Sequence, residues 1–118
     1  MAAGQGKLRE VNLELGMPIV DQAMKRLTLE MQRSRSQGFA VLKIIHGYGS
    51  SGTGGKIRTA SRKYLKEQKE KGTIRDYIPG EKFTIFEEAT RRAFAVCPPL
   101  KKDRDLEQFN NGVTFIVL

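Results

Sequence analysis

The run FAVLKIIHGYGSSGTGGKIR, residues 39–58, carries the strongest structural signals in the chain. Its first part, residues 39–45, is short, apolar and rich in β-branched side chains, with Lys43 as its one interruption, which is typical of a buried strand. The next ten residues, 46–55, include five glycines, a density that neither a helix nor a strand tolerates, so they predict a loop. Residues 56–71 then show the spacing of an amphipathic helix. The run therefore predicts a strand, a glycine-rich loop and a helix in direct succession.

The same periodicities predict the elements on either side of this run. Residues 8–15 alternate between apolar and polar side chains and predict a strand, and apolar residues at helical spacing between Pro18 and Gly38 predict a helix. Downstream, the pattern predicts a strand at 73–78, a short strand at 83–86, a short helix at 87–95, a loop at 97–111 and a final apolar strand at 112–118. Strands and helices thus alternate along most of the chain.

This alternation favours a parallel sheet with right-handed crossover connections, which the last strand joins as an antiparallel or mixed neighbour. We therefore expect an α/β two-layer sandwich of the order βαβαββ, with a mixed four-stranded sheet, two main helices and a short helix in an insert at about 81–109. The length of 118 residues suits one domain, which we place at 8–118 behind a flexible tail at 1–7.

The chain is strongly basic, with 21 Lys and Arg against 13 Asp and Glu, a net charge of +8 and a pI near 9.9. Such an excess attracts polyanions, and nucleic acid is the expected partner, with a membrane surface as the competitor. No apolar stretch suits a signal peptide or a membrane span, so we expect a cytoplasmic protein with no membrane partner. Cys97 is the single cysteine, which excludes an internal disulfide and a cysteine-based zinc site. The sequence leaves the oligomeric state open.

The glycine-rich loop is the best candidate for a binding site. It leaves the carboxyl end of a strand and enters a helix, and in open α/β sheets ligands bind at that end. Closely approaching backbone N–H groups and the N-terminus of the helix both favour an anion such as phosphate. Tyr48, at the apex of the loop, is expected either to stack on an exposed base or to pack against the loop itself.

Basic side chains extend this candidate site along the helix. At about 100° per residue, four cations fall on one exposed stripe, which two glutamates of the same helix barely neutralise. A stripe that begins at an anion-binding loop favours contact with a phosphate backbone. The candidate nucleic-acid-binding residues are therefore His46, Gly47, Tyr48, Gly49, Ser50, Ser51, Gly52, Thr53, Gly54, Gly55 and Lys56, with the stripe Arg58, Arg62, Lys66 and Lys69.

Two well-known phosphate-binding loops match this segment only in part. Gly47, Gly49 and Gly52 have the spacing of the dinucleotide fingerprint, but they follow the second strand, and no acidic residue ends a following strand at the right distance. The P-loop pattern fails because Lys56 comes one residue late and Ile57 stands where Ser or Thr would hold magnesium. An enzyme that binds a nucleotide or phosphometabolite through the glycine loop is kept as a second alternative function.

Three segments resemble the small MutS-related (Smr) domain family. The segment IIHGYG at 44–49, followed by KIRTA at 56–60, is similar to the family's strand, His-Gly-x-Gly loop and Leu-Arg helix entry, and GVTFIVL at 112–118 resembles its last strand. The resemblance implies a βαβαββ fold similar to the C-terminal domain of bacterial translation initiation factor 3. It also implies DNA or RNA binding, endonuclease or nicking activity in several members, and a place in DNA repair and recombination or in RNA and ribosome processing.

The chain departs from the family pattern in its insert at 81–109 and at the end of its first strand. Where the family has Leu-Asp-Leu-His-Gly, residues 11–15 read VNLEL, so Asn12 replaces the aspartate and Glu14 replaces the histidine. Parallel strands would bring Glu14 close to His46, and this pair is the candidate catalytic site of an alternative function, a metal-dependent endonuclease or nickase. The other interpretation is that His46 fixes the loop by a hydrogen bond to the backbone. We expect no cofactor and no metal unless the domain is a nuclease, which would use a divalent metal.

Overall fold

A computed structural model describes residues 6–48 and 54–118 of the chain. Within these ranges the elements are β1 (Leu8–Asn12), α1 (Val20–Ser36), β2 (Val41–Ile45), α2 (Gly54–Lys71), β3 (Asp76–Pro79), a 3-10 helix (Gly80–Lys82), α3 (Glu88–Val96), a second 3-10 helix (Pro98–Lys102) and β4 (Val113–Val117). None of the helices in the described part of the chain has the length and apolar character that crossing a membrane requires.

The strands form one mixed sheet in the order β1-β2-β4-β3, which confirms the predicted fold class. β1 and β2 are parallel, and β4 lies between β2 and β3, antiparallel to both. The register pairs Asn12 with Ile45, Ile45 with Val113 and Pro79 with Thr114. The ends of β1, β2 and β3 and the beginning of β4 therefore meet at one edge of the sheet. We call it the carboxyl edge, and it carries the connecting residues 13–19, 46–48, 80–82 and 108–112.

Helices α1 and α2 cover one face of this sheet. Leu27 of α1 and Ile57 and Leu65 of α2 are buried in one cluster with Leu42 and Ile116 of the sheet. The helical positions are those that the 3.6-residue period predicted as buried. Complete burial of such a side chain contributes about 1.5–3 kcal/mol, so this face supplies much of the stability of the fold.

The insert between β3 and β4 covers the opposite face. The ring of Phe83 lies 4.1 Å, centroid to centroid, from that of Phe115 in β4, and Cys97 and Leu100 are buried in the same cluster. Burial raises the pKa of the Cys97 thiol to about 11, so this thiol stays protonated and unreactive at neutral pH. The insert is therefore part of the core of the domain.

Lys43, the one interruption in the apolar run of β2, is fully buried on the insert side of the sheet. Its Nζ contacts three carboxylates, those of Asp103 at 2.9 Å, Glu10 at 3.5 Å and Asp105. Burial acts to raise the pKa of Asp105, but hydrogen bonds from Asn110 and Lys43 outweigh it and hold that pKa below its usual range. Two of the three carboxylates belong to the insert, so the insert supplies the counter-charges for a lysine inside the sheet.

The strand predicted at 8–15 ends earlier than its pattern indicates. The Leu13 N–H still bonds to β2 at 2.8 Å, but the Met17 N–H then closes a turn onto the Glu14 carbonyl at 3.0 Å, and Leu15 is exposed. The alternation of apolar and polar residues continues to residue 15, beyond Asn12, which is the last residue of β1 that pairs with β2. The pattern alone could not locate the last paired residue for that reason.

The short strand predicted at 83–86 is wrong, since these residues form a turn. The Glu87 N–H bonds to the Thr84 carbonyl at 3.0 Å. The Glu107 carboxylate accepts hydrogen bonds from the Thr84 hydroxyl at 2.6 Å and from the Ile85 N–H at 2.7 Å. The Ile85 N–H is therefore bonded to the Glu107 side chain and is not available for pairing with a neighbouring strand.

Of the predicted tail at 1–7, the structure describes residues 6 and 7. Residues 1–5 of that tail lie outside the described residues. The Lys7 carbonyl accepts hydrogen bonds from the Ala40 N–H at 3.1 Å and the Val41 N–H at 3.4 Å. The hydrogen bonds of the sheet therefore begin just before β1.

Candidate nucleic-acid interface

His46 follows β2 directly and is fully buried. Its Nδ1 lies 2.7 Å from the Gly47 carbonyl oxygen, and its Nε2 lies 2.8 Å from Thr114 Oγ1. Because a carbonyl only accepts hydrogen bonds, Nδ1 carries the ring proton and Nε2 accepts from the Thr114 hydroxyl. Both nitrogens are thus engaged within the protein. The bond to Gly47 is the kind of loop-fixing contact that the sequence offered as one interpretation of His46.

Arg62 of α2 connects this histidine to the rest of the carboxyl edge. Its Nε donates to Thr114 Oγ1 at 3.3 Å, and its two Nη atoms each donate to the Glu81 carboxylate at 2.7 Å. A continuous series of hydrogen bonds therefore joins Glu81, Arg62, Thr114, His46 and Gly47, and we call it the Arg62 chain. It ties α2, β4 and the start of the insert to the beginning of the glycine loop.

The surroundings of His46 keep its ring neutral. Burial lowers the pKa of His46 to about 4, the hydrogen bond with Gly47 opposes this shift, and the charges of Arg62 and Arg58 add to it. At the other end of the Arg62 chain, burial acts to raise the pKa of Glu81, but the hydrogen bonds from Arg62 outweigh it and hold the pKa below its usual range. At neutral pH the histidine is uncharged, and the ion pair between Arg62 and Glu81 is intact.

Glu14 lies against the glycine loop. Gly47 has a φ of +73°, and a β-carbon at this position would overlap the Glu14 carboxylate. The Glu14 N–H donates to the side-chain oxygen of Asn12 at 2.8 Å, so Asn12 supplies the acceptor that an aspartate would supply, without its charge. The Glu14 carboxylate thus lies beside Gly47, the residue that follows His46. Neither ring nitrogen of His46 bonds to Glu14, because both have other partners.

Tyr48 presents its ring at the carboxyl edge and is 57% exposed. The ring packs against Gly112, where an added β-carbon would lie 2.9 Å from Tyr48 Cδ1. The backbone of a neighbouring turn thus supports part of the ring, and more than half of the residue faces solvent. The remaining predicted loop residues, Gly49, Ser50, Ser51, Gly52 and Thr53, lie outside the described residues.

The first turns of α2 form an open, basic surface. The exposed Lys56 and Lys63 and the half-buried Arg58 line a depression of about 600 Å³ together with Tyr48. The positive end of the helix dipole adds to the positive potential at this end of α2. Lys63 was not among the predicted site residues. Helical spacing places it off the predicted stripe, and only the folded position of Tyr48 shows that both line one surface.

The predicted stripe of cations is interrupted. Arg62 is held by Glu81, and Lys69 forms an ion pair with Asp76 of β3 at 3.0 Å, whereas Lys66 is exposed. The sequence weighed only the two glutamates of α2, whereas the folded domain pairs Arg62 and Lys69 with carboxylates from outside the helix. The neutralising carboxylates come from β3 and the turn after it, which the helical periodicity of α2 cannot locate.

The arrangement at Glu14 and His46 does not fit a metal ion. Both ring nitrogens of His46 are already hydrogen-bonded, which leaves Glu14 as the one available ligand of the pair. Across residues 6–48 and 54–118, no three His, Cys, Asp or Glu side chains come together as a metal centre would require. Protein metal sites of the nuclease type use several such ligands.

Comparison with known protein families gives a match to the Smr domain, whose family model covers residues 14–82, more than half of the chain. No curated protein and no solved structure matches the chain significantly. The matched range begins at Glu14 and contains α1, β2, the glycine loop, α2 and β3, whereas most of the insert and β4 lie beyond it. It therefore includes the depression beside Tyr48 and both ends of the Arg62 chain. The chain belongs to the Smr domain family.

Proposed function

We propose that this Smr domain binds nucleic acid, DNA or RNA, at its carboxyl edge. The observation that carries the proposal is the open depression in which Lys56, Arg58 and Lys63 lie beside the exposed ring of Tyr48. Phosphates suit the three cations and the N-terminus of α2, and a base suits the aromatic ring. The family to which the chain belongs supports the same function.

Within this proposal, His46 and Arg62 position the loop and do not contact phosphate. His46 is buried and neutral, and the guanidinium of Arg62 is occupied by Glu81. Their bonds hold the carbonyl of Gly47 and thereby the first residues of the glycine loop. Contact with the phosphate backbone then falls to the cations of the depression, with Lys66 extending the surface along α2.

Binding to a nucleic-acid polymer should weaken steeply as the salt concentration rises. Neutralising about four phosphates gives a slope of roughly −3 to −4 in log affinity against log salt, or about a 100-fold loss between roughly 50 and 200 mM salt. Fluorescence anisotropy with single-stranded, duplex and branched DNA and RNA at the two concentrations measures this loss. An affinity that does not change with salt would contradict the proposal. Tight binding of a mononucleotide without polymer binding would instead favour the nucleotide-enzyme alternative.

A matched pair of double variants locates the contact. Lys56→Gln with Lys63→Gln removes two cations of the depression, whereas Lys71→Gln with Lys101→Gln removes two exposed lysines outside it. We expect the first pair to lose about tenfold in affinity and to reduce the salt slope by about 2, and the second to stay within about twofold of the parent protein. Equal losses of affinity in the two double variants would show that affinity depends only on the net charge of the domain.

We also expect the domain to be a weak nuclease or none. Asn12 carries no charge, His46 has no free ring nitrogen, and Glu14 is left as the single carboxylate of the expected site. General acid–base or metal-assisted cleavage needs a group that can reach the substrate. The imidazole of His46 is buried, and both of its nitrogens are hydrogen-bonded within the protein, so it cannot do so.

The assay for this expectation incubates the protein with supercoiled plasmid and with structured RNA, in magnesium, in manganese and in chelator. Efficient metal-dependent cleavage that disappears in both Glu14→Ala and His46→Ala would overturn the expectation and restore the endonuclease alternative. Circular dichroism of both variants shows whether they fold. Cleavage that persists in both variants comes from a contaminating nuclease and leaves the Glu14–His46 pair without a catalytic role.

A further inference from the structure

The connection between β1 and α1, residues 13–19, presents large apolar side chains to solvent at the carboxyl edge. Leu15 is 60% exposed, Met17 is 92% exposed and Ile19 is 60% exposed, and we call these three residues the apolar row. Single exposed apolar side chains are ordinary on a protein surface. Three within five residues of one connection expose more apolar surface than a single side chain, and a concentration of exposed apolar surface is typical of an interaction site.

Backbone contacts hold the apolar row in a fixed position. Leu13 is fully buried, the Met17 N–H closes a turn onto the Glu14 carbonyl at 3.0 Å, and the Ile19 N–H bonds to Gln22 Oε1 at 3.2 Å. Met17 has a φ of +49°, in the left-handed region that residues other than glycine adopt at an energetic cost. The strained residue is thus also the most exposed of the three. The row is a fixed projection of the domain.

The apolar row lies beside the proposed phosphate contacts. Glu14 begins the turn that carries the row, and its carboxylate lies against Gly47 of the glycine loop. Tyr48 follows Gly47 directly, and its ring lines the depression with Lys56 and Arg58. Glu14, Gly47 and Tyr48 thus connect the row to the depression.

We infer that the apolar row inserts against the faces of unpaired or unstacked bases, so that the domain prefers nucleic acid with a bulge, a mismatch or a single-stranded junction to a regular duplex. The inference rests on the proposed nucleic-acid function. A base offers an apolar face and its phosphate offers a negative charge, and the carboxyl edge offers apolar side chains beside cations, so the two surfaces are complementary. A regular duplex keeps its base faces within the stack and offers the row no apolar surface.

The test compares a regular duplex with the same duplex carrying one unpaired 2-aminopurine, each made as DNA and as RNA. We expect the protein to bind the bulged form about tenfold more tightly and to increase the 2-aminopurine fluorescence as the base leaves its stack. Met17→Ser should bring the two affinities to within about twofold of each other and abolish the fluorescence increase, while the salt-dependent affinity for the regular duplex is retained. Leu29→Ser, at another exposed apolar position, 44% exposed on α1, is the matched control and should behave as the parent protein.

Each other outcome overturns the inference in a distinguishable way. An unchanged preference in Met17→Ser, with salt-dependent binding intact, removes the role of the row and leaves the proposed function standing. Absence of polymer binding in the parent protein removes both. A parent protein that sediments as a dimer, and that Met17→Ser converts to a monomer, would make the row a self-association surface. Binding to anionic phosphatidylserine vesicles that Met17→Ser abolishes would make it a membrane contact.

Discussion

Replacing Lys43 by alanine should lower the free energy of unfolding by about 3–5 kcal/mol, because it leaves buried carboxylates without their counter-charge. The Nζ of Lys43 is fully buried and contacts Asp103, Asp105 and Glu10, so its removal affects the contact between the sheet and the insert. Urea denaturation at neutral pH measures the change. Arg104→Ala is the matched control, since Arg104 also binds Glu10 but is 66% exposed, and it should cost less than about 1 kcal/mol.

The dependence on pH separates this charge effect from a loss of packing. The folded-state pKa of Asp105 is lowered, so its contribution to stability is complete above the ordinary pKa of aspartate and is lost as pH falls through the lowered value. In Lys43→Ala the Asp103 and Asp105 carboxylates lose their lysine, and protonation relieves their unpaired charge. The deficit of the variant should therefore shrink as pH falls from about 7 to about 3. A deficit below about 1 kcal/mol at neutral pH, or one that grows in acid, would contradict the charge argument.

Replacing Gly47 by alanine should reduce affinity for nucleic acid at least about tenfold and lower the free energy of unfolding by about 2–3 kcal/mol. The backbone at Gly47 has a φ of +73°, and the new β-carbon would overlap the Glu14 carboxylate. The Glu14 side chain must then rotate away from Gly47, so the contact between the β1–α1 connection and the glycine loop is lost. Anisotropy with the bulged duplex and denaturation with urea report the two effects separately.

A second glycine with positive φ and a double variant test the cause of this loss. Gly72 has a φ of +76° but no atom within 4 Å of an added β-carbon, so Gly72→Ala carries the backbone strain without the overlap and should cost about 1 kcal/mol. Gly47→Ala combined with Glu14→Ala removes the overlap and should recover the difference between the two single glycine variants. If the combined variant is no more stable than Gly47→Ala, contact with Glu14 is not the reason that residue 47 is glycine.

The succession of strand, glycine loop and helix was predictable because its signals are local. Five glycines in residues 46–55 predict a loop, although α2 begins at Gly54, two residues earlier than the helical spacing indicated. Ile57 and Leu65 recur at helical spacing on the face that is buried in the folded domain. The mixed sheet followed from the alternation of strands and helices together with the position of the last apolar run. The signals that predict these features come from residues that lie only a few positions apart along the chain.

The partners of the charged residues depend on the tertiary fold and could not be predicted in the same way. Lys43 interrupts an apolar run, but its partner Asp103 lies 60 positions along the chain. Arg62 has the helical spacing of an exposed cation, yet Glu81 reaches it from the turn after β3. The exposure of Leu15 was hidden for another reason, since the alternation of residues 8–15 continues past Asn12, the last residue that pairs with β2. Local signals thus place the candidate residues on the loop and on α2, but they do not show that distant carboxylates pair with Arg62 and Lys69.

The Arg62 chain also has a consequence for the order in which the domain assembles during synthesis. Thr114, which receives the bond from Arg62 and donates to His46, belongs to β4, and the Gly112 carbonyl just before it accepts the N–H groups of His46 and Gly47. β4 lies between β2 and β3, although both of those strands leave the ribosome earlier. A nascent chain that ends before residue 112 therefore lacks the partners that fix the start of the glycine loop. The proposed binding surface becomes complete only when β4 takes its place between β2 and β3.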